Sequence, residues 1–274
     1  MKNRILLIAL AIVSTFTARA FVTDTLTFTS ARIAEPMKVA VVTPDAAKAG
    51  SDVPVVYLLN GYGGDYKQWH AVRPDLGELA DKYGIFIVTP SGQETWYWDS
   101  PLEGGPQMET FITAELVPAL RKAYPAMTSD PALSAITGLS MGGHGGLWLG
   151  TRHPELWGNI GSTSGGVNIM PFPTKWKMAK ALGPQKGNEA VWKAHSVTSL
   201  VPRMKENGQN IIFDCGTEDF FFTENAKLHQ ALLYAKVPHD YISRPGNHSR
   251  AYWSNSILHQ LLYFHEKFTR SASK

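Results

Sequence analysis

One stretch decides the fold of this chain: Ile136-Thr-Gly-Leu-Ser-Met-Gly-Gly-His-Gly-Gly146. An apolar run leads into it and a helix-compatible segment follows, which is the strand, sharp turn and helix setting that the pattern Gly-x-Ser-x-Gly requires. A serine at such a turn sits in strained backbone, so glycine is needed two residues before and after it. We predict that Ser140 is a nucleophile facing a cleft, and that the Met141 N–H faces a developing oxyanion. A plain tight turn is the alternative.

Length and composition point to one exported domain. The chain has 274 residues, 44% of them hydrophobic, which is enough for the core of a single large domain. Residues 1–20 have the pattern of a secretory signal, because Lys2 and Arg4 precede an apolar run that ends in Ala18-Arg19-Ala20. We predict cleavage after Ala20 and a mature domain over 21–274, periplasmic, cell-surface or secreted from a bacterium. An uncleaved membrane anchor is the alternative.

The charge balance of the mature chain argues against a nucleic-acid partner. Three of the 26 Lys and Arg residues lie in the signal segment, so 23 basic and 23 acidic side chains remain, without a basic run. After the signal segment, no stretch has the roughly 20 apolar residues of a membrane span. Cys215 is the only cysteine, so an intrachain disulfide is excluded, and its apolar setting indicates a core thiol. The sequence leaves the oligomeric state open.

Strand and helix patterns alternate from about Val53 to the end of the chain. An antiparallel hairpin is predicted before them, from the alternating residues Val22 to Ser30 and the β-branched residues Met37 to Thr43. Together these patterns predict an α/β fold with a mostly parallel sheet covered on both faces. Met108 to Tyr124 has the pattern of one long amphipathic helix. Residues 165–200 break the alternation, and we interpret them as a cap-like insertion over the site.

Two loops outside the helices and strands attract attention. Asn60-Gly-Tyr-Gly-Gly64 follows a buried strand, where a second oxyanion donor arises, and we predict the Tyr62 N–H in that role, against a purely structural turn. Trp96-Tyr-Trp98 cannot be buried on one face of a helix or strand, so we predict that Trp96 and Trp98, together with Trp176, line a substrate cleft. Loop packing is the alternative for the triplet. Asp99 either binds substrate or caps the turn.

A nucleophilic serine needs a base and an orienting acid. Cys215-Gly-Thr-Glu-Asp219 and Gly246-Asn-His248 each follow a late predicted strand, so both loops belong at the same sheet edge as Ser140. We predict Asp219 as the acid and His248 as the base. Glu218 competes with Asp219 for the acid role, whereas Asp214 is expected within the strand, in packing or a turn. Since histidines and carboxylates show no spacing such as H-E-x-x-H, no metal or other cofactor is predicted.

Five blocks in this order carry a family resemblance. They are Tyr57-Leu-Leu-Asn-Gly-Tyr-Gly-Gly64, Trp96-Tyr-Trp-Asp-Ser-Pro101, Gly138-Leu-Ser-Met-Gly-Gly-His144, Cys215-Gly-Thr-Glu-Asp219 and Gly246-Asn-His248. The chain resembles the esterase family of the α/β-hydrolase superfamily, which holds S-formylglutathione hydrolases, tributyrin esterases, feruloyl and acetylxylan esterases, and mycolyltransferases. The resemblance implies the α/β-hydrolase fold, the triad Ser140, Asp219 and His248, and an oxyanion hole from the Tyr62 and Met141 N–H groups. Many relatives have His-Gly where this chain has Asn60-Gly61.

The expected function is that of an exported serine carboxylesterase. Its substrates are expected to be short-chain or carbohydrate-linked esters of the acetyl or feruloyl type, cleaved through an acyl-enzyme. Three alternatives remain: an acyltransferase with the same triad, a thioesterase of the S-formylglutathione hydrolase type, and a non-catalytic carbohydrate-binding protein on a hydrolase scaffold.

Overall fold

The computed structural model describes residues 21–48, 50 and 52–272. The predicted signal segment, 1–20, lies outside these residues. Eight strands of the described chain form one sheet in the order β1-β2-β4-β3-β5-β6-β7-β8. They are β1 (Val22–Phe28), β2 (Met37–Thr43), β3 (Val55–Leu59), β4 (Phe86–Pro90), β5 (Ser134–Gly138), β6 (Asn159–Thr163), β7 (Asn210–Gly216) and β8 (Asp240–Arg244).

Helices lie on both faces of this sheet. They are α1 (Gln68–Val72), α2 (Leu76–Tyr83), α3 (Met108–Thr110), α4 (Val117–Ala123), α5 (Met141–Arg152), α6 (Met178–Leu182), α7 (Glu189–Ala194), α8 (Val201–Asn207), α9 (Phe222–Ala235) and α10 (Arg250–Ala272). Short 3₁₀ helices span Asp45–Lys48, Pro131–Leu133 and Val197–Leu200, and a π-helix spans Phe111–Leu116. Within the described residues, no helix has the length and apolar character needed to cross a bilayer.

The central strands are buried on both faces because their side chains alternate between two cores. In β3, Val55, Tyr57 and Leu59 belong to one apolar cluster. Val56 and Leu58, between them, belong to the cluster on the opposite face. Burial of a side chain of this size contributes roughly 1.5–3 kcal/mol, which explains why the strand is continuously apolar instead of alternating.

The strand directions confirm the predicted α/β-hydrolase architecture. β1 and β2 form an antiparallel hairpin, and β2 pairs antiparallel with β4. From β4 through β3, β5, β6 and β7 to β8 all neighbours are parallel. The carboxyl ends of β3, β5, β7 and β8 therefore share one edge of the sheet, and the loops that carry Tyr62, Ser140, Asp219 and His248 leave from it.

The prediction of one regular helix over Met108 to Tyr124 is wrong. The segment is α3, then the π-helix, then α4, and α4 ends at Ala123. Pro118 lies in the first turn of α4. A proline cannot donate to the carbonyl four residues back and its ring crowds that carbonyl, so a widened turn before it relieves the conflict.

Residues 165–200, between β6 and β7, contain α6, α7 and one 3₁₀ helix. Their apolar side chains join the core on the α5 side of the sheet: Met178, Leu182 and Trp192 are buried there. Trp176 precedes α6 and is half-buried against the same cluster. This segment is therefore anchored by its own apolar residues, and it brings Trp176 to the sheet edge that carries Ser140.

Candidate active site

Ser140 occupies a strained turn between β5 and α5. Its backbone angles, φ 57° and ψ −116°, are rare for residues other than glycine. The flanking glycines permit the turn because a Cβ at Gly138 would lie 2.5 Å from the main chain of Gly142, and one at Gly142 would lie 2.2 Å from the Leu59 carbonyl oxygen. Both glycines of the motif are thus required by close backbone packing.

Side chains from three loops meet at this turn. His248 Nε2 lies 2.9 Å from Ser140 Oγ, and His248 Nδ1 lies 2.8 Å from Asp219 Oδ2. A carboxylate oxygen can only accept, so Nδ1 carries a proton and Nε2 keeps a lone pair for the serine hydroxyl proton. These contacts have the geometry of a nucleophile, its general base and the acid that orients the base.

Of the two neighbouring acids, Asp219 is the one that reaches His248. Its side chain is shielded from solvent and its Oδ1 accepts the Phe221 N–H at 2.9 Å. Glu218 is exposed. A carboxylate without access to water retains a strong interaction with the imidazole, because the local dielectric is low.

Asp214 lies inside β7 and binds α10 instead of the triad. Its carboxylate accepts hydrogen bonds from Thr163 Oγ1 at 2.7 Å, from Gln260 Nε2 at 2.7 Å and from the Ser256 hydroxyl. Burial raises the pKa of Asp214, although these three donors oppose the shift. Asp214 therefore fastens α10 to the strand from which the Asp219 loop departs, which is a packing role.

The two predicted oxyanion donors flank Ser140. Met141 is the first residue of α5, and Tyr62 lines the same cleft as Ser140. The Tyr62 loop lies close to the serine, since a Cβ at Gly61 would be 3.3 Å from Ser140 Cβ. Gly63 has φ 73°, and the Gly64 N–H donates to the Gly61 carbonyl at 3.0 Å, so the loop is a tight turn with Tyr62 near its tip.

A cleft of about 330 Å³ opens above Ser140 and is largely aromatic. It is lined by Gly61, Tyr62, Gln68, Leu139, Ser140, Trp176, Phe220, His248 and Trp253. Phe220 stacks on Trp176 with ring centroids 5.7 Å apart, and Trp253 meets His248 edge-on at 4.9 Å. Sequence reasoning identified Trp176 but missed Phe220 and Trp253. Their closeness to the predicted triad in the sequence could have indicated both residues, since Phe220 follows Asp219 directly and Trp253 lies five residues after His248.

The prediction that Trp96 and Trp98 line the cleft is wrong. Both side chains are 1% exposed and neither lines the cleft. The loop buries three consecutive aromatic rings because Trp96 and Tyr97 adopt left-handed φ values of 58° and 64°, which a helix or strand cannot do. Trp96 supports the cleft from behind, since its Nε1–H donates to the Trp176 carbonyl at 3.3 Å.

The substrate-binding prediction for Asp99 is also wrong. Its carboxylate accepts the Thr110 N–H at 2.9 Å and the Thr110 hydroxyl at 2.5 Å. These bonds satisfy groups of the helical segment that begins with α3. Asp99 therefore ties the aromatic loop to that segment and does not line the cleft, and its partner is the helical segment instead of its own turn.

His144 lies beneath the turn as a buried, neutral imidazole. Its Nε2 accepts the Trp98 Nε1–H at 2.8 Å, so Nδ1 carries the proton and donates to the Gly166 carbonyl at 3.0 Å. Burial lowers the pKa of His144 to about 3, although the bond to Gly166 opposes the shift. His144 therefore helps to hold α5 in place and is not one of the residues between which a proton would pass. Among the described residues, no group of three or more His, Cys, Asp or Glu could hold a metal ion.

Comparison with known proteins places the chain in a family. The family described as "Putative esterase" matches residues 30–264, which is most of the chain. The chain belongs to this esterase family. The family assignment and relatives named esterase or hydrolase identify it as a carboxylic-ester hydrolase.

Three relatives illustrate the range of the family. This esterase is 27% identical to an acetyl esterase from Caldicellulosiruptor saccharolyticus, over 74% of its own length and 79% of the relative's. It is 23% identical to the S-formylglutathione hydrolase of Mus musculus, over 85% and 89% of the two chains. A solved ferulic acid esterase superposes with a TM-score of 0.74 at 26% identity, covering 90% of this chain and 98% of the other.

Proposed function

We propose that this esterase hydrolyses its substrates through an acyl-enzyme on Ser140, with His248 as general base and Asp219 as the acid that orients it. The observation that carries the proposal is the continuous hydrogen-bonded chain from Ser140 Oγ through His248 to Asp219, at 2.9 and 2.8 Å. The φ of 57° at Ser140 supports it, because strain of this kind is found at functional serines on strand-to-helix turns.

The proposal assigns each chemical step to a named group. Ser140 Oγ attacks the ester carbonyl carbon while its proton passes to His248 Nε2. The Tyr62 and Met141 N–H groups stabilise the oxyanion of the tetrahedral intermediate. The bond to the alkoxy oxygen then breaks, and that oxygen takes the proton from His248, releasing the alcohol. Water then gives a proton to His248 Nε2 as it attacks the acyl carbon, the bond from that carbon to Ser140 Oγ breaks, and Oγ takes the proton back from His248 as the acid leaves.

Hydrolysis is favoured over acyl transfer by the openness of the site. The His248 side chain keeps 17% of its surface exposed, and the cleft above Ser140 is open to solvent. Water therefore has access to the imidazole that activates it for deacylation. Acyl transfer would need water to be excluded while an acceptor alcohol binds.

The proposed substrates are carbohydrate-linked acetyl or feruloyl esters. The support is the ring of Tyr62, Trp176, Phe220 and Trp253 around the serine, since aromatic faces pack against both sugar and phenyl rings. The acetyl esterase and ferulic acid esterase relatives agree with this class. Residues 165–200, which supply Trp176, are proposed to act as a cap in which specificity varies.

Export is part of the proposal and rests on residues 1–20. Lys2, Arg4, the apolar run and Ala18-Arg19-Ala20 form the pattern of a cleavable signal. The mature esterase is expected to begin at Phe21. Its N-terminal sequence after expression in a Gram-negative host, read from the periplasmic and cytoplasmic fractions, tests this point.

The acyl-enzyme itself provides the test of the mechanism. Mixing the esterase with p-nitrophenyl acetate and quenching in acid within milliseconds should give a peptide containing Ser140 that is heavier by one acetyl group. His248→Ala should abolish the adduct while leaving the fold intact. A burst of nitrophenol with the acetyl group on another residue would contradict the proposal.

A further inference from the structure

In the loop after β3, the carbonyl of the peptide unit that precedes Tyr62 accepts two hydrogen bonds. The Gly61 carbonyl accepts the Asn60 side-chain Nδ2–H at 2.8 Å and the Gly64 N–H at 3.0 Å. This carbonyl and the Tyr62 N–H belong to one planar, trans peptide unit, in which they point in opposite directions. Fixing the carbonyl therefore fixes the direction of the N–H.

The orientation of the Asn60 amide is itself determined by its neighbours. The Gly92 N–H donates to Asn60 Oδ1 at 2.7 Å, and the Tyr97 hydroxyl lies 3.1 Å from both Oδ1 and the Asn60 carbonyl oxygen. A backbone N–H can only donate, so the atom facing Gly92 must be oxygen and the atom facing Gly61 must be nitrogen. Asn60 is 1% exposed, which shields these bonds from water.

Tyr97 connects this loop to the helix that follows Ser140. Its ring fills the space that a Cβ would need at Gly92 and at Gly145, with distances of 2.3 and 2.4 Å. Gly145 lies in α5, which begins at Met141. Tyr97, whose φ is 64°, therefore places its ring against α5 and its hydroxyl against Asn60 in the loop that carries Tyr62.

We propose that Asn60 and Tyr97 are positioning residues that orient and polarise the Tyr62 N–H toward the oxyanion. A carbonyl that accepts hydrogen bonds makes the N–H of its own peptide unit a better donor. The Tyr97 hydroxyl hydrogen-bonds to the Asn60 side chain, and the Asn60 amide donates to the Gly61 carbonyl. The position of that carbonyl determines the direction of the Tyr62 N–H. This inference rests on the proposed role of Tyr62, and it gives a function to the buried Tyr97 and to Asn60, the position at which this chain departs from His-Gly.

Misdirecting the Tyr62 N–H should weaken binding of the transition state and leave binding of the substrate unchanged. An N–H that engages the oxyanion strengthens as the charge develops, so misdirecting it lowers kcat and leaves KM nearly unchanged. A boronic acid that adds to Ser140 carries a tetrahedral, negatively charged boron and reports the same interaction without turnover. A residue with a merely structural role would change the melting temperature without changing boronate affinity.

The experiment uses Asn60→Asp and Tyr97→Phe in the full mature chain. Asn60→Asp keeps the Oδ1 acceptor for Gly92 and loses the Nδ2 donor to Gly61. Tyr97→Phe removes one hydroxyl. We expect kcat on p-nitrophenyl acetate to fall about 10- to 100-fold for Asn60→Asp and about 3- to 10-fold for Tyr97→Phe, with KM within about twofold. The Ki of phenylboronic acid should rise by the same factors as kcat falls.

Asn159→Asp is the matched control. Asn159 is also buried and donates its Nδ2 to two carbonyls, those of Ala132 and Ser134, but it lies at the opposite edge of the sheet. It should lower the melting temperature and leave kcat and the boronate Ki unchanged. Wild-type kcat and Ki in folded Asn60→Asp would overturn the proposal. If Asn60→Asp does not fold, wild-type values in Tyr97→Phe decide against it.

Failure of this inference is distinguishable from failure of the proposed function. Ser140→Ala must be inert and must not bind the boronate if Ser140 is the nucleophile. An active Ser140→Ala contradicts the proposed function. An inert Ser140→Ala, together with wild-type behaviour of Asn60→Asp and Tyr97→Phe, contradicts the positioning role only.

Discussion

The Phe220 ring lies against the His248 imidazole, with 4.3 Å between the two ring centroids and 37° between their planes. It is 51% exposed and also stacks on Trp176. An exposed aromatic ring that contacts both the proposed base and the cleft wall contributes little to folding. Its position is instead suited to hold the imidazole in its orientation and to contact substrate.

Phe220→Ala should therefore impair activity more than stability. We expect kcat/KM on p-nitrophenyl acetate to fall about 10-fold, because the imidazole loses the ring that packs on it, with a melting temperature within about 2 °C of wild type. Tyr234→Ala is the control, since Tyr234 is 94% exposed in α9. A kcat/KM within twofold of wild type would show that the contact is incidental.

Trp176→Ala tests the assignment of the aromatic cleft. The ring lines the cleft beside Ser140, so its loss should raise KM for acetylated xylo-oligosaccharides and methyl ferulate about 10-fold, equivalent to about 1.4 kcal/mol. Because methyl acetate has neither a sugar nor an aromatic ring, its KM should change much less. Equal changes in KM for all three esters would show that Trp176 takes no specific part in substrate recognition.

Trp98→Phe should give the opposite pattern. The substitution keeps a ring in the core but removes the N–H that His144 Nε2 accepts at 2.8 Å. Leaving that buried acceptor unsatisfied should lower the free energy of unfolding by about 1–3 kcal/mol. The ratio of kcat/KM between methyl ferulate and p-nitrophenyl acetate should stay at the wild-type value, measured well below the melting temperature. A changed ratio of kcat/KM would indicate that Trp98 contacts the substrate.

His144 should make stability depend on pH. The fold lowers the pKa of His144 from 6.5 to about 3, chiefly through burial, so the folded chain keeps the imidazole neutral where the unfolded chain protonates it. Its contribution is complete above pH 6.5 and is lost as the pH falls toward 3, at about 1.4 kcal/mol per pH unit.

Urea unfolding at several pH values between 7 and 5 measures this contribution. His144→Gln should flatten the decline in the free energy of unfolding by about 1.4 kcal/mol per unit below pH 6. His259→Gln, at an exposed position of α10, controls for the loss of one histidine. A decline as steep in His144→Gln as in wild type would assign the pH dependence to other groups.

Most of the fold can be predicted from the sequence because the patterns that indicate it are local or follow from the direction of the strands. A Cβ at Gly138 or Gly142 would fall 2.2 to 2.5 Å from neighbouring main-chain atoms, so only glycine fits at these two positions around Ser140. Once the strands were predicted to be parallel, the loops with Asp219 and His248 had to leave from the same edge as Ser140. The structure brings these residues to within hydrogen-bond distance of one another.

The errors arose where backbone conformation departs from what residue type predicts. Two left-handed residues in succession, Trp96 and Tyr97, turn an apparently exposed aromatic loop into core. Sequence reasoning assumed one buried face for each element and therefore placed these rings in the cleft. The bonds of Asn60 to Gly92 and Tyr97 span more than 30 residues, so pattern reasoning along the chain could not find them.

Ser140→Ala tests the proposed nucleophile most directly. Mature wild type and Ser140→Ala should be compared on p-nitrophenyl acetate, p-nitrophenyl butyrate, methyl ferulate and acetylated xylan, with circular dichroism to verify that both are folded. We predict that wild type hydrolyses at least one of these esters and that Ser140→Ala loses at least about 10⁴-fold in kcat. Equal activity of the two proteins would contradict the account.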